Sequence, residues 1–473
     1  MKKILLVIIC LAFLTACQNS NSDSSLRVIP PDIKELPLKG TWEVVSLLGD
    51  DMVEPDDSLI GENIYFTDDY VLINEYFLQN PRYSIRRVES ASYLVYHHQA
   101  YPTGFSFKEP TIEILTLYEG DQYFCEFVKE SDEELLLIFL NKTYLLKQVS
   151  DDVDETILKY AQHDWIPLDG DEDNYNIPTG ILLGLRTPQA DSSSYRTLWI
   201  SFKDDSLSPI LEVDKIFFPR RSGFYQLEVE HENNQDILLV KNVLLQETQV
   251  EEDNIMSNKE YSTASINRSV NYIGNDYISL EETIKQESIE RSRLKVVAVD
   301  SLPILKPIKI SDLAGPDAAS AMEQQRERLL KQLGIEQIMH DEENFGLARK
   351  MGYWIFTGRL EYKYDDEYVT NDYNISAILP NHVVYYNELK IPWTRIKNHV
   401  PAACDVFTSP NSNLALVITD DEIIVYKSYR ENLIDPPLEK IPLKDSEKVI
   451  MAEWAVGDYV ENWEMNFTEF ISN

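Results

Sequence analysis

Residues 405–426 read DVFTSPNSNLALVITDDEIIVY, and the way this stretch pairs decides the fold of most of the chain. Leu414-Ala415-Leu416-Val417-Ile418 is a short apolar run, and Asp420-Asp421 makes a turn. Ile423-Ile424-Val425-Tyr426 is a second run of β-branched and aromatic residues, so the stretch reads as strand, turn, strand. Similar stretches recur. Ile375–Leu379 precede Pro380-Asn381, and Val383-Val384-Tyr385-Tyr386 follow. Further back, Ile273 and Tyr277–Leu280 flank Gly274-Asn275-Asp276. Ile237–Val240 reads as the second strand of another copy, and Asp458-Tyr459-Val460 as a looser one. Ile237 and Ile278 are 41 residues apart; Val383 and Ile423 are 40 apart.

A hairpin returning at about 40–45 residues has the period of a four-stranded propeller blade. The expected fold is therefore mainly β, with residues 177–473 forming a β-propeller-like domain of about six or seven blades. In a closed ring the last blade takes a strand from the start of the domain, which removes an exposed edge. The C-terminal copy at 458–463 is accordingly expected to pair near Ile181–Leu185. One segment breaks the rhythm. Asp317–Leu333 follows Gly315-Pro316 and precedes Gly334, the punctuation of a helix. Met322, Gln325, Leu329 and Leu333 share one face, while Glu323, Arg326, Glu327 and Lys331 are expected outside. An amphipathic helix over 317–333, inserted between blades, is the prediction.

The leader carries the most specific signal. Lys2-Lys3 is followed by an apolar run from Ile4 to Leu14 and then by Leu14-Thr15-Ala16-Cys17. The apolar run is short for a permanent membrane span. This leader resembles a bacterial lipoprotein signal peptide, and the resemblance implies cleavage after Ala16, leaving a signal peptide of 1–16. It further implies a lipid on Cys17, palmitate or another acyl chain, and a place in the cell envelope, outside the cytoplasm. Two or three acyl chains anchor a protein stably where one holds it marginally. Gln18–Ser25 is polar throughout, so 17–35 reads as the lipidated cysteine and a flexible tether.

Residues 36–150 hold short strand-like runs in close succession, from Thr41–Leu47 and Asn63–Phe66 to Glu134–Leu140 and Thr143–Val149. Val71–Tyr76, Ser92–Tyr96, Thr111–Tyr118 and Gln122–Val128 lie between them. A small antiparallel barrel or sandwich follows from that density of strands. Gly40-Thr41-Trp42 resembles the Gly-x-Trp that opens lipocalin-like barrels. The resemblance implies a closed barrel with Trp42 at its plugged end and Lys147 above it. Residues 151–176 form an acidic linker. Its Asp169-Gly170-Asp171-Glu172-Asp173 has alternating carboxylates, but Asn174 and Gly180 stand where a calcium loop needs glycine and glutamate. It reads as a solvated loop.

The formal net charge of −37 repels nucleic acid at long range. Of the four cysteines, Cys10 lies in the leader and Cys17 carries the lipid. Cys125 and Cys404 sit in apolar contexts and read as buried free thiols, with a single interdomain disulfide as the alternative. Spacings that carry catalysis are missing: there is no HExxH, GxSxG, GxGxxG or P-loop. Ser292-Arg293-Leu294-Lys295 fits SxxK but precedes a strand and lacks its partner motifs. His97-His98 would face opposite sides of a strand, and His340-Asp341-Glu342-Glu343 reads as a polar loop. No catalytic, cofactor-binding or metal residue is therefore assigned, and no cofactor is expected.

Three functions remain. The first is a membrane-anchored envelope lipoprotein that binds or scaffolds a protein or an envelope glycan without catalysis. The second is a glycan or peptide hydrolase working in the propeller channel, to be recognised by Asp, Glu and His meeting at one mouth. The third is a carrier holding a lipid or other small apolar ligand in the N-terminal barrel, above Trp42.

Overall fold

The computed structural model describes residues 38–48, 59–153, 177–243 and 264–472, apart from 94–106 and several shorter breaks. The leader with Cys17, His97-His98, Asp169–Asp173 and most of the expected linker lie outside the described residues.

The first part is a single antiparallel sheet. Its strands are β1 (Gly40–Leu48), β2 (Asn63–Phe66), β3 (Tyr70–Ile73), β4 (Tyr76–Gln79) and β5 (Arg82–Glu89). They continue with β6 (Thr111–Glu119), β7 (Gln122–Lys129), β8 (Glu134–Phe139) and β9 (Lys142–Ser150). The spatial order is β4-β3-β2-β1-β9-β8-β7-β6-β5. The first and last strands pair, while β4 and β5, consecutive in sequence, form the two edges. The sheet is a half-barrel, and not the closed lipocalin-like barrel expected. Its inner face is filled by side chains including Trp42, Ile64, Phe66, Phe127, Phe139 and Tyr144. Phe66 and Phe127 meet edge to face at 5.1 Å.

Lys147 does not lie over Trp42. It registers with Glu43, one residue along, and so points to the other face, where its Nζ sits 3.6 Å from Glu134. Gly40 has its own local reason: φ is +93° and a Cβ would lie 2.1 Å from the Ser150 carbonyl oxygen. Strand β5 was not anticipated. Its sequence RYSIRRVE keeps both faces partly exposed, so the period-2 signal is weak. Tyr93, expected in a strand, is helical and buried against Ile112, Ile114 and Val128 on the outer face.

The remaining described residues form four sheets in a propeller-like arrangement. The first has β10 (Thr179–Pro188), β11 (Ser193–Lys203), β12 (Ser206–Leu207) and β13 (Leu211–Val213). The second has β14 (Ile216–Arg220), β15 (Gly223–Glu232), β16 (Gln235–Asn242), β17 (Ser265–Ile273), β18 (Tyr277–Gln286) and β19 (Ile289–Ala298). Next comes helix α1 (Ile310–Leu333), then β20 (Phe345–Lys350), β21 (Tyr353–Tyr364) and β22 (Glu367–Asn374) as the third sheet. Helix α2 (Trp393–His399) leads into the fourth: β23 (Asp405–Thr408), β24 (Leu414–Ile418), β25 (Glu422–Tyr429) and β26 (Asn432–Pro442). The chain then returns as β27 (Lys448–Val456) and ends in helix α3 (Tyr459–Ser472).

The opening stretch is thus β23, β24 and β25, with Leu416 opposite Val425 and Ile418 opposite Ile423. The copies at 273–280 and 237–240 are also strands of hairpins. Two copies are not. Residues 375–386 run without a ladder and bury Ile375, Leu379, Val383 and Val384 beneath α1. Residues 459–472 are helical because Val460, Trp463, Phe467 and Phe470 recur at spacings of three and four. Dividing residues 177–473 by a period of about 40–45 residues gives the expectation of six or seven blades; the described residues of that part form four sheets.

The ring nevertheless closes through its C-terminal region. β27 pairs antiparallel with β10, placing Trp454 opposite Ile181 and Ala452 opposite Leu183. Gly180 and Gly184 permit this crowding. A Cβ on Gly180 would lie 2.2 Å from the Trp199 ring, and one on Gly184 would lie 2.9 Å from Met451 Cβ. Helix α1 breaks at Gly315 (φ 83°), so its long arm starts at Pro316 and stops at left-handed Gly334. Its buried face is Ala318, Met322, Arg326 and Leu330, an i, i+4 row. Arg326 lies inside, against expectation, because Glu323 and the Ile338 carbonyl hold all of its charged end. Leu333 is exposed instead.

Helix α2 meets the half-barrel. Arg395 donates to the Tyr123 carbonyl at 2.9 and 3.2 Å, and lies 3.3 Å from the buried Glu431 carboxylate. Burial pushes Glu431 up to about 7, with Arg395 opposing it.

Candidate functional site

The inner strands of the ring are β17, β20, β23 and β27, and between them lies a cavity of about 730 Å³. Each contributes residues to the wall: Asn271, Leu347 to Arg349, Asp405, and Lys448 to Ile450. The volume is within the range of small-molecule sites.

One end is narrowed by an arginine. The Arg349 guanidinium binds both oxygens of Asp405, at 2.7 and 3.0 Å, and donates to the Val406 carbonyl at 2.9 Å. It stacks 3.9 Å from the Phe407 ring and 5.1 Å from Trp354. Asp405 also accepts from the Gly352 amide, so its place is fixed from two sides. Beyond Arg349 lies a space of only about 10 Å³ lined by Tyr386, Asn387 and Trp454, room for roughly one water. The channel is plugged there.

A second arginine stands at the other end of the same β20–β21 hairpin. Arg359 on β21 grips Asp372 at 2.6 and 2.8 Å and also donates to Glu281 and Ser292. Burial pushes the Glu281 carboxyl up, but the bonds from Ser292 and Arg359 outweigh it and hold it below the usual carboxylate range. Glu447 is arranged alike. Burial raises it, and the fork of Arg196 at 2.7 and 2.9 Å brings it below its ordinary value. These carboxylates enter as members of ion pairs.

Three aspartates, Asp420, Asp421 and Asp445, line the cavity from the β24–β25 and β26–β27 turns. Asp420-Asp421 is the turn of the stretch that set the fold. Two cations, Arg186 and Lys448, line it from β10 and β27. Cys404 is also there, as an exposed free thiol whose Sγ lies 3.3 Å from the Ile418 carbonyl oxygen. Cys125 is free and buried, as expected, in the half-barrel core; Cys404 is not buried, because it sits at the cavity wall.

The other candidates stay apart. Ser292 faces the cavity side with Arg359, while Lys295 is bound to Glu282 on the other face of β19, so SxxK forms no pair. His340 lies beside Glu323 of α1, away from the cavity. No histidine lines the cavity, and no group of His, Cys, Asp or Glu suited to a metal ion occurs among the described residues. Sequence reasoning missed Arg186, Arg349, Arg359 and Lys448. The available signal was an arginine within otherwise apolar strand runs, as in Gly346-Leu347-Ala348-Arg349, where a buried charge needs a partner. No protein-family model matches the chain, and no curated protein matches it.

Proposed function

We propose that the chain is a binding protein of a bacterial cell envelope, anchored through a lipid on Cys17, that takes a partner molecule in its central cavity without catalysis. The observation that carries this reading is the cavity itself, walled by the inner strands of every sheet and floored by the Arg349–Asp405 pair. A general acid or base works best with a pKa near the working pH. Glu281 and Glu447 are instead held low by arginines, which favours a site built to recognise charge over one built to move protons. The half-barrel, filled by its own aromatic side chains, serves in this reading as the spacer nearest the membrane.

Ala348 lies on β20 in the cavity wall, so Ala348→Trp fills the space, and a bulky maleimide on Cys404 obstructs it independently. Soluble protein lacking residues 1–17 is incubated with solubilised envelope glycan and envelope protein fractions, and retained material is quantified. Both changes abolish retention if the cavity is the site. Retention equal to the unmodified protein would place binding elsewhere. Metabolic acyl labelling of the full chain and of Cys17→Ser tests the anchor; equal label in both would remove it.

A further inference from the structure

Arg186 and Lys448 are register partners across β10 and β27, so their side chains leave the same face of the sheet at the same level. Like charges placed directly opposite each other destabilise a sheet. Both side chains line the central cavity. Among the described residues neither has an ion-pair partner, and the Arg186 Nε is buried without a hydrogen bond. Two of the carboxylates lining the same cavity are committed to other partners. Glu281 is bound by Arg359 and Ser292. Glu447, adjacent to Lys448, is bound by Arg196 and Thr187. The two cations therefore stand side by side with no ion pair of their own, although Glu281 lies near enough to feel the Arg186 charge.

We propose that Arg186 and Lys448 form an anion subsite that receives the carboxylate or phosphate group of the cavity's ligand. This rests on the cavity being a binding site, as argued above, and adds which end of the ligand is bound and by what. The guanidinium supplies a planar fork that fits either group, and the ammonium supplies a mobile second charge. The rest of the ligand is constrained as well. Asp420, Asp421 and Asp445 line the same cavity, and the chain as a whole carries −37. A polyanion is repelled by both. The fitting ligand carries one anionic group on a neutral or cationic body.

The test uses soluble full-length protein lacking only residues 1–17, with inorganic phosphate and acetate as probes and chloride at matched ionic strength as reference. Thermal unfolding and the fluorescence of Trp354, which lines the cavity, are followed together. At about ten times its dissociation constant, a bound probe raises the unfolding midpoint by about 2–4 °C above chloride. A rise with phosphate alone assigns a phosphoryl group; a rise with acetate assigns a carboxylate. Lys448→Gln raises the midpoint in chloride, by relieving repulsion, and loses the probe-dependent rise. Arg186→Lys keeps the charge but not the fork, and weakens the rise at least tenfold in probe concentration. The proposal is overturned if neither probe exceeds chloride, or if Lys448→Gln responds as the parent does. Failure of the cavity reading is seen separately: Ala348→Trp then still retains envelope material. If Ala348→Trp loses retention while Lys448→Gln and Arg186→Gln keep it, the cavity binds and the anion subsite is wrong.

Discussion

Removing residues 448–473 takes away β27 and α3 and reopens the ring. The structure sets the size of the effect. On β27, Ile450, Met451 and Ala455 are buried, and on α3, Val460, Phe467 and Phe470. Phe467 and Phe470 pack on Phe217 at 5.2 and 4.8 Å, so the helix closes the core shared by the first two sheets. Full burial of a large apolar side chain is worth about 1.5–3 kcal/mol, so the five larger ones contribute about 8–15 kcal/mol. That is the whole stability of an ordinary domain. The deletion also exposes the β10 edge, where Ile181, Leu182 and Leu183 are now fully buried. Deletion of 459–473 alone spares the ladder and removes Val460, Phe467 and Phe470, about 5–9 kcal/mol by the same measure. Circular dichroism and differential scanning calorimetry of the two truncations and the parent form a graded series. The expectation is a cooperative transition lost in the 448–473 deletion and strongly lowered in the shorter one. An open solenoid, whose repeats touch only neighbours, would lose its last repeat and keep the rest. Retention of the parental midpoint in the longer deletion would refute the closed ring.

Four further outcomes follow from single sites. Gly180→Ala drives a Cβ into the Trp199 ring and should cost about 1–3 kcal/mol in urea unfolding, whereas Gly61→Ala, with open space around it, should cost less despite its positive φ. Glu453, on β27, is raised by burial to about 8. The folded state then holds this proton where the unfolded chain has released it, so stability declines as pH rises from about 4.5 to about 8 and is flat outside that window. Its side chain keeps some exposure, so the contribution is about 2–4 kcal/mol, and Glu453→Gln should flatten that part of the curve in urea titrations at pH 5, 7 and 9. Asp405→Ala leaves the half-buried Arg349 without its carboxylate and should cost about 2–4 kcal/mol; a loss below about 1 kcal/mol would show that the plug is not held by this pair. Arg395→Ala removes the bonds to Tyr123 and the cation beside buried Glu431, and should both speed proteolysis between the half-barrel and the four sheets and lower the midpoint of the four sheets.

The sequence by itself determined what depends on neighbours in the chain. Short β-branched runs divided by Asp420-Asp421 or Gly274-Asn275-Asp276 make hairpins wherever they stand, because turn and alternation are local. Gly315-Pro316 and Gly334 fixed the long arm of α1 for the same reason. That the chain returns to the strand at Ile181–Leu185 was legible, since an apolar strand edge has to be covered, but the segment was not: 448–456 makes the pairing and 459–472, expected to supply it, is helical. Tertiary structure alone decided the rest. Apolar runs such as Val383-Val384 pack equally well in a buried loop or a strand, and only their partners choose. The 3-4-3 spacing from Val460 to Phe470 is present in the sequence, but Asp458-Tyr459-Val460 also fits the end of a hairpin, and the packing of Phe467 and Phe470 on Phe217 selects the helix. The cavity was not legible, because its charges come from Arg186, Glu281, Arg349, Arg359 and Lys448, on five different strands. Each looks like an ordinary surface charge until the ring closes, removes water, and makes every unpaired one a contact in waiting.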